Sequence, residues 1–174
     1  VIGCAAQFLS ELGVLDTCIL HLNSLGDGES GDAYRAALVA FLLDYKNELS
    51  SDSQRRLNEN PLRILDSKAD EDREILKNVP QLPAFLTTQA QQHFEQVTNA
   101  LDKASINWQL DTNLVRGLDY YSHTAFEFIT DALGSQGTVL GGGRYDGLSA
   151  MLGGPDIGAV GFAAGVERLA LLIE

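Results

Sequence analysis

Glycine crowds the last third of this chain: eleven of its 17 glycines lie from Gly134 onward, and Gly141-Gly142-Gly143 are consecutive. Inside a regular element each glycine is destabilising by roughly 0.5–1 kcal/mol relative to alanine. Such density therefore marks tight turns and places where backbone must come close to something else. Short strand-like runs alternate with the glycines, at 124–130, 138–140 and 159–164, and Val166 to Ile173 is apolar at helical spacing. The first of these runs, Thr124-Ala125-Phe126-Glu127-Phe128-Ile129, is entered through Leu114-Val115-Arg116-Gly117-Leu118-Asp119-Tyr120-Tyr121. An arginine, an acid and two adjacent tyrosines at the mouth of a strand can present charge and aromatic faces to a small ligand from a rigid base. The expected class is α+β, with mainly antiparallel strands.

Upstream, Ile2, Ala5, Leu9 and Leu12 recur at helical spacing and Gly13 is a stop. Residues 17–23 read as a well-buried strand, closed by a turn at Asn23-Ser24-Leu25-Gly26. The Gly/Ser/Asp-rich stretch from Gly26 to Gly31 reads as a loop, with Asp32 capping a helix whose inner face is Tyr34, Leu38, Phe41, Leu42 and Tyr45. From there to about Ser105 the pattern is helical and interrupted by Pro61, Pro80 and Pro83, with Ala90, Phe94, Val97, Leu101 and Ala104 striping the last helix. The expected organisation is a first core segment at 1–31, a helical insertion at 32–105 and a second core segment at 106–174. The chain opens at Val1 without an N-cap and stops at Glu174 inside an apolar helical run, so it reads as a piece of a longer protein.

With 174 residues, 45% of them hydrophobic, the chain can bury a substantial core, and no apolar run approaches membrane-spanning length. Cys4 and Cys18 have neither metal-ligand spacing nor a disulfide pattern, which points to a reducing cytoplasm. A net charge of −12 repels phosphate backbones, so most affinity for RNA should come from elsewhere. Asp66, Asp70, Glu71, Asp72 and Glu74 read as a solvated face rather than a metal site.

Several side chains are chemically open. Arg116 either pairs with Asp119 or Glu127, or holds a phosphate or carboxylate in its fork of donors. Tyr120 and Tyr121 should point to opposite faces if extended, one to the core and one to a pocket. The segment Gly141-Gly142-Gly143-Arg144-Tyr145-Asp146-Gly147 is not a P-loop, since the Lys-Ser/Thr after the last glycine is missing. Its bare backbone lets a ligand lie against it; Tyr145 is the side chain offered, and Arg144 and Asp146 pair with each other or with something bound. Gly161-Phe162-Ala163-Ala164-Gly165-Val166-Glu167-Arg168-Leu169 puts Arg168 at the start of a helix, where it binds phosphate or forms a salt bridge with a glutamate. Ser122 and His123 are adjacent and make no hydrolytic dyad, and His21, His93 and His123 are too scattered in sequence to suggest zinc.

Together these segments, with Asn23-Ser24-Leu25-Gly26 and Asn60-Pro61-Leu62-Arg63-Ile64-Leu65-Asp66-Ser67-Lys68, resemble the catalytic domain of histidyl-tRNA synthetases across nearly the whole chain. Leu114 to Tyr121 resembles that family's signature, and Gly161 to Leu169 its version of class II motif 3. The resemblance implies an antiparallel class II sheet flanked by helices, and joining of histidine to ATP followed by transfer to tRNA(His). It makes Arg116 the catalytic arginine at the α-phosphate. Tyr120, Tyr121, Tyr145, Gly142 and Gly143, with Arg116, would surround histidine, and Arg116, Gly165 and Arg168 would bind ATP. Mg2+ is expected with ATP, but no protein ligand for it is identifiable. A cytoplasmic homodimer is implied for the parent. Motifs 1 and 2 and the anticodon-binding domain are missing here, so this piece alone should be inactive. The alternative is the synthetase-like regulatory subunit of ATP phosphoribosyltransferase in histidine biosynthesis.

Overall fold

The computed structural model describes residues 1–114 and 120–173. Helix α1 (Ile2–Glu11) ends as its pattern requires: Gly13 takes a positive φ of 73°, its N–H bonds Ser10, and the Val14 N–H reaches back to Leu9. The chain then enters β1 (Ile19–Gly26), the strand next to the centre of a five-stranded sheet. The spatial order is β2 (Trp108–Leu110), β1, β3 (Ser122–Ile129), β4 (Thr138–Arg144) and β5 (Val160–Ala164). All neighbouring pairs are antiparallel except β1 with the short edge strand β2. This is the α+β antiparallel arrangement expected from the glycine-punctuated strands.

Alternation divides the sheet into two faces. Leu20, Leu22, Phe126, Phe128 and Leu140 point to one side and pack with Ala5, Ala6 and Leu9 of α1 and with Phe94, Val97 and Leu101 of α5 (Thr88–Lys103). His21, Asn23, Ala125, Glu127, Gly141 and Gly143 point to the other. A second cluster gathers Tyr34, Leu38 and Leu42 of α2 (Gly28–Asp44) around Leu57 of α3 (Ser51–Glu59), Ile64, Ile75 of α4 (Asp70–Leu76), Val79 and Leu82. Helix α5 lies within the 32–105 stretch yet packs on the sheet rather than in this cluster.

Two local expectations change. Asn23 to Gly26 is not a turn but the end of β1, with an irregular register at Ser24/Gly26. Asn23 is buried, and its amide donates to the carbonyls of Leu114 (3.0 Å) and Thr112 (3.4 Å). A polar side chain that looked turn-forming is thus spent holding the segment that leads to Arg116. The cap of α2 is Asp27, not Asp32. Asp27 accepts from the Ser30 N–H at 2.9 Å, from the Ser30 hydroxyl at 2.7 Å and from Thr87, itself the cap of α5. Gly26 allows this closure: its φ is +72°, and a Cβ there would lie 2.3 Å from that of Ser30.

These hydrogen bonds, the Thr87 hydroxyl's first, pull the Asp27 carboxyl down to about 2. Asp27→Ala should destabilise the chain by about 1–2 kcal/mol, as for other lost caps. Because the folded pKa lies below the unfolded one, the carboxylate's stabilisation is complete above about pH 4. It drains away as pH falls toward 2. Urea unfolding of wild type and variant at pH 7 and pH 3 checks both statements, the gap between them narrowing at the lower pH.

Candidate active site

Where the chain enters β3, three tyrosines meet above bare backbone. Tyr120 and Tyr121 stack with ring centroids 5.2 Å apart at 22°, and Tyr145 stands edge-on to them at 6.3 Å and 5.7 Å. The expectation of opposite faces fails because Tyr120 precedes the strand, which begins only at Ser122, so no pleat separates the two rings.

The floor beneath them consists of small residues on β4 and β5. A Cβ on Gly143 would lie 2.9 Å from the Tyr121 ring and 2.6 Å from the Thr124 carbonyl oxygen. On Gly161 it would lie 2.4 Å from the Tyr145 hydroxyl. The rings therefore occupy the volume that side chains would otherwise take. A cavity of about 300 Å³ remains, lined by Tyr120, Tyr121, Tyr145, Leu148, Gly141 and Gly161, among others. Gly142 faces the opposite way, toward Phe126 and Phe162, as alternation demands.

The turn after β4 is braced internally. Arg144 Nε donates to Asp146 at 2.6 Å, and Asp146 also accepts from the Ala159 N–H at 2.9 Å. Burial raises the Asp146 carboxyl, but these donors outweigh it and hold it below its ordinary range. Arg144 and Asp146 are thus occupied with each other, and Tyr145 between them is fixed from both sides.

Gly165 and Arg168 lie at the other end of the strands. Arg168, in the first turn of α7 (Val166–Ile173), donates to the Thr138 carbonyl at the start of β4, while its stem packs against Gly165. Thr138 to Gly143 is five strand steps, roughly 17 Å. The structure therefore brings Tyr120, Tyr121, Gly143 and Tyr145 together and sets Gly165 and Arg168 apart. Arg116, with Gly117, Leu118 and Asp119, lies outside the described residues. Among the described residues, no three His, Cys, Asp or Glu side chains gather as a metal site would require.

Glycines floor one end of this sheet and tyrosines wall it, while Arg168 marks the far end of β4. A family profile described as histidyl-tRNA synthetase matches residues 31–169. The chain belongs to that family. It is 56% identical over 173 residues to the histidine–tRNA ligase of Novosphingobium aromaticivorans, covering 97% of this chain and 41% of that protein. The apo histidyl-tRNA synthetase of S. aureus superposes with a TM-score of 0.79 at 35% identity, over 99% of this chain and 42% of that one. A Bacillus halodurans protein described as an ATP phosphoribosyltransferase regulatory subunit/histidyl-tRNA synthetase superposes at 0.57 with 17% identity, over 98% of this chain and 48% of that one. This last likeness speaks to the fold alone. The chain spans 41% of the length of the Novosphingobium synthetase.

One grouping beside the site escaped the sequence. His93 on α5 and His123 on β3 lie 30 residues apart in the chain, yet their rings meet at 4.6 Å. Both Nδ1 atoms are buried without a hydrogen-bond partner. His123 has a φ of 50° and lines a hollow of about 560 Å³ that shares the Tyr120–Tyr121 wall. Burial, reinforced by the charges of His123 and Arg144, holds His93 below its ordinary range. Only the packing of α5 on the sheet creates this pair, and no local sequence signal announces it. His21, by contrast, has a partner: its Nδ1 lies 3.0 Å from Asp111 Oδ2.

Proposed function

We propose that this chain forms part of the adenylation site of a histidine–tRNA ligase, with histidine at the tyrosine end and the nucleotide toward Gly165 and Arg168. In the parent, a carboxylate oxygen of histidine attacks the α-phosphorus of ATP. The new P–O bond forms as the bond to pyrophosphate breaks, and the histidyl group then passes to the terminal adenosine of tRNA(His). The three-tyrosine cluster over its glycine floor carries the reading, since it offers flat walls and hydroxyls to a small polar ring. Its partner at the reacting atom is Arg116, whose guanidinium stabilises the charge that builds on the α-phosphate in the transition state.

Gly143 floors the histidine end directly. Gly142 supports it from the other face by letting β4 pass close to Phe126 and β5. The stretch 32–105 serves as a helical insertion whose last helix returns to the core. No described residue is assigned to a magnesium ion arriving with ATP, and no step is routed through one. The parent acts as a cytoplasmic homodimer. With 41% of the length of its Novosphingobium relative, the chain alone has too little of the site to catalyse adenylation.

Histidine-dependent ATP–pyrophosphate exchange tests this on the full-length parent, beside its Arg116→Ala variant and the isolated chain. Robust exchange is expected from the parent, a loss of about a hundredfold on removing the arginine, and none from the chain alone. Histidine binding without exchange in the parent would overturn the reading in favour of a regulatory binding protein.

A further inference from the structure

Gly161 differs from Gly142 and Gly143 in what forbids a side chain there. Its φ lies outside the left-handed region, so the backbone would accept any residue. The obstruction is a single side chain. The three atoms nearest an added Cβ all belong to Tyr145: the hydroxyl oxygen at 2.4 Å, Cζ at 3.5 Å and Cε1 at 3.7 Å. At Gly142 and Gly143, by contrast, the nearest obstacles are carbonyl oxygens of neighbouring strands, at 2.2 Å and 2.6 Å. Only the hydroxyl therefore stands in the way at Gly161, because 3.5 Å to a ring carbon is an ordinary packing distance.

The Tyr145 ring cannot easily go elsewhere. Its backbone N–H is held by the Ala159 carbonyl at 2.8 Å, the Arg144–Asp146 pair clamps both of its neighbours, and Tyr121 stands edge-on at 5.7 Å. Both Gly161 and Tyr145 line the 300 Å³ cavity. We propose that Gly161 is a positioning and specificity-determining residue: its empty side-chain volume seats the Tyr145 hydroxyl and so sets the shape of a cavity for a small planar polar ring. A methyl group at this position lifts the hydroxyl off β5 by about 1 Å to restore a normal contact, and a displacement of that size in a positioning group is large on the scale of catalytic geometry. The kinetic side of this inference rests on the histidine–tRNA ligase reading, and the structural side does not.

The test is a double-variant cycle of Gly161→Ala, Tyr145→Phe and both together. Thermal unfolding of this chain comes first. Gly161→Ala alone should lower Tm by about 4 °C or more, whereas adding the same methyl in the Tyr145→Phe background should change Tm by no more than about 1 °C. Folding of the double variant where Gly161→Ala fails to fold would give the same answer. An equal loss in both backgrounds, no loss in either, or failure of the double variant as well as the single would overturn the seat.

In the full-length parent, Gly161→Ala should raise the KM for histidine about tenfold and leave that for ATP within about twofold, whereas the same methyl added to Tyr145→Phe should change the histidine KM by no more than about twofold. Equal shifts in both KM values, or none, would overturn the specificity role. A wild-type parent without histidine-dependent exchange would sink the ligase reading, while the thermal cycle would still decide the seat.

Discussion

Gly142→Ala is expected to be among the most damaging single-methyl additions in the sheet, lowering stability by about 3 kcal/mol. The new Cβ would lie 2.2 Å from the Gly161 carbonyl oxygen, 2.7 Å from Cζ of Phe126 and 2.7 Å from Cβ of Phe162. None of these is the loose end of a flexible side chain. The carbonyl belongs to β5, which pairs with β4 at Gly142↔Phe162 and Gly143↔Gly161, so moving it opens the ladder. Phe126 is 1% exposed and packed in the core cluster beneath the sheet. Relief must come from separating β4 and β5 at the point where Gly161 seats Tyr145. A parallel drop in histidine affinity of the parent should therefore accompany the loss of stability.

Gly147→Ala is the control. An added Cβ there meets nothing nearer than the Tyr120 carbonyl oxygen at 3.8 Å, and the residue opens helix α6 (Gly147–Met151). That substitution should be neutral or stabilising by up to about 1 kcal/mol, from the lower entropy of the unfolded chain. Urea unfolding of the two variants beside wild type separates the cases. Near-wild-type stability for Gly142→Ala would mean that β4 and β5 do not pair in this register.

The contrast also shows what was legible in the sequence. That glycines at 141–143 bring backbone close to something was readable from their number. What they approach was not, because it depends on strand register. The sequence pattern predicts a strand ending at Leu140, whereas β4 runs straight through the glycines to Arg144. A strand tolerates three glycines here because neighbouring rings fill the volume that their side chains leave. Alternation then gives adjacent glycines different tasks, Gly142 against the core and Gly143 under Tyr121. The cap of α2 falls at Asp27 rather than Asp32 for a related reason. Gly28 and Gly31 argue for a loop in isolation, yet a carboxylate that meets Ser30 locally and Thr87 sixty residues later stabilises the first turn anyway. Periodicity could place Leu38, Leu42, Phe126 and Phe128 in the interior because each repeats at the spacing of its own element. The Tyr120–Tyr121 stack and the His93–His123 contact had no such signal.

Asp72 is the sharpest case, since a charge run that looked solvated conceals a buried acid. Asp70, Glu71 and Glu74 of α4 are exposed, but Asp72 is 0% exposed and accepts four hydrogen bonds of 2.5–2.8 Å. The donors are the Ser50 N–H and the hydroxyls of Ser50, Ser53 and Ser67. They come from the cap and first turn of α3 and from the loop before α4. One carboxylate thereby ties the start of α3 to α4 and closes the second cluster, in which Leu57 and Ile75 pack. Burial pushes the Asp72 carboxyl up, but the three serines outweigh it and hold it below the ordinary carboxylate range. Asp72→Ala strands four donors at once and should be destabilising by about 3–5 kcal/mol. Asp72→Asn keeps the shape and one acceptor oxygen, and rotating hydroxyls can accept from its amide, so its effect should be about 1–2 kcal/mol. Because the folded pKa is depressed, the carboxylate's contribution is complete above the unfolded value of about 4 and is lost below it. The Asp72→Asn deficit should therefore shrink as pH is lowered from 6 toward 3 in urea unfolding. A deficit that stays constant over that range, or an alanine variant no worse than asparagine, would mean that the serine cage does not hold an ionised carboxylate.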